Sequence, residues 1–100
     1  MDEYQVTCTS KPHPQCSHEE IVCIGNLADK WRLTLEGAIY QIEKKVGKFY
    51  VIDRATGRHC FLEIVKEFGK RKHLRAHLDG RWIDGLLEQP ECGEDCKIVS

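Results

Sequence analysis

Six cysteines and five histidines stand in a chain of 100 residues, and the chemistry this sequence can do depends on their spacing. Cys16-Ser17-His18 sets a thiol and an imidazole one residue apart. Pro12 and Pro14 keep that stretch out of any regular ladder, so it reads as a loop. Cys92-Gly93-Glu94-Asp95-Cys96 sets two more thiols close together near the C-terminus. Thiolates and imidazoles at short spacings are zinc ligands. Cys16, His18, Cys92 and Cys96 therefore form a candidate four-coordinate metal site joining loop to tail, and zinc is the sole cofactor suggested. The rival reading is a set of unrelated reduced thiols, since the spacing lacks a pair of tight Cys-x2-Cys units. Cys8, Cys23 and Cys60 fall in strand-like segments and read as small core residues.

The second constellation is His73-Leu74-Arg75-Ala76-His77. On a helix the two imidazoles would share one face. On a strand they stand about 13 Å apart, too far for one ion. The alternation of Leu74, Ala76 and Leu78 favours the strand, which leaves His73, Arg75 and His77 as an outward stripe. Around them, Lys66 through Arg81 carries Lys66, Lys70, Arg71, Lys72, Arg75 and Arg81 against Glu67 and Asp79. A basic hairpin over residues 66–82, with Trp82 beside it, can meet a phosphate backbone and stack on bases. The plainer reading is a charged edge hairpin that discourages unwanted strand pairing. The segment after Asp84 is acidic and can fold over the basic patch. Lys70, Arg71, Lys72, His73, Arg75, His77, Arg81 and Trp82 are the candidate binding residues.

Catalysis finds little support. His59 and Cys60 are adjacent on a strand, so they point to opposite faces and cannot activate one another. The sequence has no phosphate-cradling glycine loop and no carboxylate pair in a recognisable context. The expectation is a protein that is not an enzyme.

These residues need elements to position them. Tyr4–Thr9 alternates as a strand, and Ile21–Ile24 is a second one. Leu35, Ile39, Ile42 and Val46 recur at helical spacing, with Thr34 as N-cap and Gly47 as the left-handed stop. Trp31 precedes this helix and staples it to a sheet. Lys48–Asp53 and His59–Lys66 make a hairpin, with Cys60, Leu62 and Ile64 inward and Phe61, Glu63 and Val65 outward. Lys72–Leu78 and a short Arg81–Ile83 strand follow. The tail from about residue 88 is acidic and irregular. The order β-β-α-β-β-β predicts one small α+β domain over residues 1–100: an antiparallel sheet of four or five strands with one helix packed across it.

Composition limits what the domain can be. The chain suits one domain with a modest core. Its net charge of −1 removes the simplest case for nucleic acid, although that value cancels a basic hairpin against an acidic tail. The N-terminus lacks the basic and apolar regions of a signal peptide, and Cys96 is one position too far from the end for prenylation. No apolar run approaches membrane-spanning length. A cytoplasmic protein is expected. In that compartment six cysteines argue against a disulfide framework.

Several segments together resemble a known family: Ile21-Val22-Cys23-Ile24-Gly25, Trp31 through Ile39, Phe49-Tyr50-Val51, Lys72-His73-Leu74-Arg75, Asp79-Gly80-Arg81-Trp82, and Leu86 through Cys92. The pattern is similar to domain-of-unknown-function family 3892, short and mostly bacterial proteins. His73 stands where the family tends to have Tyr, Asp84-Gly85 replaces a more Asn-rich stretch, and Gly93–Ser100 extends past the usual end. The resemblance supports the element order and brings no established activity, substrate or catalytic residue. A non-catalytic binding module with a macromolecular partner is the leading expectation. A zinc-stabilised structural module and a nucleic-acid-binding module are the alternatives.

Overall fold

Val6 and Thr7 interrupt what the sequence offers as one strand. In the computed structural model, which describes residues 2–11, 20–69, 71–93 and 96–99, the buried Val6 donates its N–H to the Tyr50 carbonyl at 2.7 Å. Thr7 donates to the Gly25 carbonyl at 2.8 Å. The chain therefore crosses here from one sheet to another. Strand β1 (Asp2–Gln5) lies on one side of the crossing and β2 (Cys8–Ser10) on the other. Then come β3 (Cys23–Asn26), β4 (Trp31–Thr34), helix α1 (Leu35–Glu43), β5 (Gly47–Ile52), β6 (His59–Val65), β7 (His73–Leu78), β8 (Arg81–Ile83) and β9 (Lys97–Val99).

Two mixed sheets result, one ordered β1-β5-β6-β7-β8 and one ordered β2-β3-β4-β9. Pairing is antiparallel except for β1 with β5 and β4 with β9. The small α+β domain is as expected from sequence, but the single antiparallel sheet is corrected to two mixed ones. Trp31, expected to staple the helix to a sheet, is the first residue of β4 and packs against the core. The segment expected to be an irregular tail adds Lys97–Val99 as a parallel strand beside β4. Strands of three or four residues carry too few alternations to announce themselves, and a parallel edge partner is chosen by tertiary packing alone.

The helix shows where local rules suffice. Thr34 is extended at φ −63° and ψ 155°, and its Oγ1 accepts the Gly37 N–H at 3.1 Å. Glu36 occupies the first turn, where the helix dipole favours an acid. Leu35, Ala38 and Ile39 are buried, and Ile42 packs at the margin. The stop comes earlier than Gly47. Lys45 takes the left-handed conformation, φ 57°, and donates to Ile42 O while Val46 donates to Gln41 O. That double bond pattern closes the helix with a lysine where glycine is usual. Val46 turns out to solvent, and Gly47 begins β5.

One core serves both sheets. It combines Ile24 and Leu33 with Phe49, Val51, Cys60, Leu62, Leu74 and Ala76, and α1 adds Leu35, Ala38 and Ile39. Leu86, after β8, is fully buried in it. The outer face of the five-stranded sheet is left without a layer of described residues over it. No helix among the described residues is long and apolar enough to cross a membrane.

Candidate functional site

The β5–β6 hairpin sets the register of that outer face. Between the strands, Asp53 N–H bonds Arg58 O at 2.9 Å and Gly57 N–H bonds Asp53 O at 2.7 Å. Gly57 supplies the positive φ of 73° that the turn requires. Tyr50 is thereby placed opposite Phe61. The β6–β7 register pairs Leu62 with Ala76, so Phe61 and His77 are next in line, and β7 pairs His77 with Trp82 of β8. Four rings, Tyr50, Phe61, His77 and Trp82, thus form one row across four neighbouring strands. At strand spacing the row is about 14 Å long.

The rings touch. Tyr50 and Phe61 centroids are 5.7 Å apart, and His77 meets Trp82 edge-on at 5.3 Å. His59 stacks on Tyr50 at 4.1 Å. A second row flanks the first and is charged: Lys48, Glu63, Arg75 and Asp84. The Lys48 ammonium sits 5.4 Å from the Phe61 centroid, and the Arg75 guanidinium 5.8 Å from that of Trp82. Arg75 reaches Asp84 at 3.3 Å, and His77 Nδ1 lies 3.1 Å from a Glu63 carboxylate oxygen. The face therefore offers π-surface beside charges of alternating sign. Such a surface can hold a planar or extended ligand by stacking and multiple polar contacts.

The candidate binding residues divide. Arg75, His77 and Trp82 lie together on this face. Arg81 is exposed on the opposite face of β8, one residue from Trp82. Arg71 and Lys72 sit beside α1, where Arg71 approaches Glu36 at 3.6 Å and Lys72 bonds Glu43 at 3.1 Å. Lys66 also reaches Glu43, at 3.7 Å, and these lysines hold the Glu43 carboxyl below its ordinary range. Lys70 lies outside the described residues. His73 is corrected: it is buried, not part of an outward stripe, and its Nδ1 lies 3.3 Å from the Arg71 carbonyl. Sequence reasoning missed Tyr50, His59 and Lys48, and it placed Phe61 outward without naming it a site residue. The available signal was the hairpin itself, which aligns the outward residues of one strand with those of the next.

At the four-stranded sheet, cysteines meet. Cys8 on β2 forms a disulfide with Cys92, with a Cα separation of 4.9 Å. Cys96 is buried beside the pair, and all three sulfurs lie within 4.8 Å of one another. This corrects the reading of Cys8 as an ordinary core residue and of a chain without disulfides. Sequence brought Cys92 and Cys96 together correctly but missed Cys8, 84 residues from Cys92. Cys16 and His18, the other proposed zinc ligands, lie outside the described residues.

The backbone explains how the cluster assembles. Thr9 N–H bonds Pro90 O and Cys92 N–H bonds Thr9 O, both at 2.9 Å. Lys11 Nζ caps the Leu87 and Gln89 carbonyls at 2.7 and 3.2 Å. Arg32 Nε donates to Cys96 O at 2.8 Å. Gly25 leaves the space: a Cβ there would stand 3.1 Å from the sulfurs of both Cys8 and Cys92 and would collide with the Trp31 carbonyl. The free thiols of Cys23 and Cys60 are buried elsewhere, and burial pushes both above their ordinary pKa. At neutral pH they are protonated and poorly nucleophilic.

Fold and site together define a small α+β domain with one open ring-lined sheet face and one closed cysteine cluster. The chain belongs to the family described as protein of unknown function DUF3892, whose sequence profile matches residues 5–90. The matched stretch holds the whole ring row and ends just before Cys92. Curated proteins and solved structures give no match to this chain.

Proposed function

We propose that this protein is a cytoplasmic, non-catalytic binding module that takes a macromolecular partner on the outer face of the five-stranded sheet. The observation that carries this reading is the row of Tyr50, Phe61, His77 and Trp82 aligned by strand register, with Trp82 44% exposed. Aromatic groups with an apolar body and a polar handle are the usual anchors of interfaces. The partner is a protein surface rather than a polyanion. Arg58, Lys66, Arg71, Lys72 and Arg75 each have a carboxylate within ion-pair distance, and the charged row alternates in sign. Little net positive field is left to attract phosphates.

Nucleic acid is the second reading, and one observation favours it: rings spaced at strand intervals on an open sheet are a platform on which unpaired bases stack. One comparison separates the two. Wild-type protein and a Tyr50→Ala, Phe61→Ala, Trp82→Ala triple variant are immobilised and exposed to a source-cell extract, and each is titrated with labelled single-stranded oligonucleotides at low salt. A specific protein retained by wild type alone, with no oligonucleotide binding, supports the proposal. Oligonucleotide binding lost in the variant supports the second reading. Equal behaviour of the two proteins in both assays removes the face from consideration.

A further inference from the structure

The cysteine cluster has a use that the sheet face does not explain. Cys8, Cys92 and Cys96 are each almost wholly buried, at 0, 5 and 1% exposure. They come from two distant stretches of chain. Three sulfurs within 4.8 Å of one another already match the spread of donors around one ion. With zinc–sulfur bonds of about 2.3 Å, tetrahedral geometry places sulfurs about 3.8 Å apart. The Cys96 sulfur already lies within 4.8 Å of both bridged sulfurs, and the Cys8–Cys92 bond must open. We propose that in the reduced protein Cys8, Cys92 and Cys96 bind one zinc-class cation as thiolates, and that the Cys8–Cys92 disulfide is the metal-free, oxidised state of the same site.

The electron balance is simple. Two equivalents of a low-molecular-weight thiol deliver two electrons and two protons to the Cys8–Cys92 bond and leave as their own disulfide. Three thiols then stand together, and the cation displaces their protons to solvent as it binds. A fourth, exchangeable donor completes the tetrahedron. Three thiolates on a divalent cation carry one net negative charge. Arg32, bonded through Nε to the Cys96 carbonyl, is the nearby positive group that offsets it.

Surroundings argue for the same two states. In a cytosol rich in reduced thiols an isolated disulfide is the exception. Three adjacent buried thiols without a shared ion would leave the sulfurs themselves with weak donors only, beside a seam that keeps its backbone bonds. A cation would keep that seam closed when the covalent bond is absent. The site is distinct from the ring row and does not depend on what that face binds.

The test uses the full chain. It is reduced with a phosphine under anaerobic conditions, freed of reductant, and titrated with Co2+ as a spectroscopic probe, with Zn2+ as competitor. The expected result is one Co2+ per chain, with a strong sulfur-to-cobalt absorption band in the near ultraviolet that Zn2+ abolishes. The disulfide form should show no band. A second measurement needs no variant: Zn2+ should protect Cys8, Cys92 and Cys96 from alkylation at least tenfold, reversed by chelator, while Cys23 and Cys60 are unaffected. Cys96→Ser should lose the band and Cys60→Ser retain it. Absence of a band in the reduced wild-type chain, or protection that spares any of the three cysteines, overturns the proposal.

Discussion

The ring-lined face and the cysteine cluster are built on opposite principles. The face is open and rests on hairpins, so every ring in it is placed by a register that neighbouring turns enforce. The cluster is closed and joins residues 84 apart in sequence, so nothing local holds it. A surface made by short-range pairing can change its side chains at little cost to the fold. A buried seam made by long-range closure cannot. Tolerance of side-chain change belongs to the first region and long-range closure to the second.

Opening the seam should produce the largest effect. A disulfide that closes so long a loop stabilises by about 4.6 kcal/mol in the chain-entropy account. Phosphine reduction in the presence of chelator should lower the midpoint of thermal unfolding by many degrees, and restoring Zn2+ should recover part of it. A drop of only a degree or two would show that the seam carries little of the stability. Next is Gly25→Ala. The added methyl meets a backbone carbonyl that cannot yield and both bridged sulfurs, so a loss of about 3 kcal/mol is expected in urea unfolding. A neutral result would mean that β3 and β4 separate more readily than their register implies.

On the face, the expected costs are smaller. Phe61→Ala removes a half-buried ring and should cost about 1 kcal/mol, well below a core truncation. Partner binding, not the unfolding midpoint, should register the change. If Phe61→Ala unfolds the protein, the row is structural and the contrast between the regions fails.

The smallest effect is electrostatic. Arg58 holds Asp79 below the ordinary carboxylate range through a bidentate pair at 2.6 and 2.9 Å. Because the folded pKa is depressed, the pair's contribution is complete above the unfolded pKa and is lost as pH falls through the folded one. Asp79→Asn should therefore differ from wild type at neutral pH and converge with it in acid. Both partners are exposed, so the difference is small and screened by salt. A gap that persists unchanged in acid would mean that Asp79 acts through its left-handed turn geometry, φ 51°, rather than its charge.

Much of this molecule could be read from sequence. The Thr34 cap, the buried stripe of Leu35 and Ile39, the β5–β6 hairpin and the outward placement of Phe61 and Glu63 all obey rules acting within a few residues. Arg75 and His77 were placed on the outward face because alternation along a strand survives folding. The stop at Lys45 was missed because a lysine can adopt the left-handed conformation when two capping bonds hold it there. His73 was misplaced because burial depends on what packs over a strand end, and periodicity carries no record of that.

The sequence by itself determined the helix, the central hairpins and the two faces of their strands, since propensity, capping and alternation are local. Only the tertiary structure decided that the first strand divides between two sheets, that Lys97–Val99 joins β4, and that Cys8 meets Cys92 and Cys96. Those outcomes follow from how chain segments far apart in sequence minimise exposed apolar surface and unpaired backbone together. No spacing within a single segment encodes that choice.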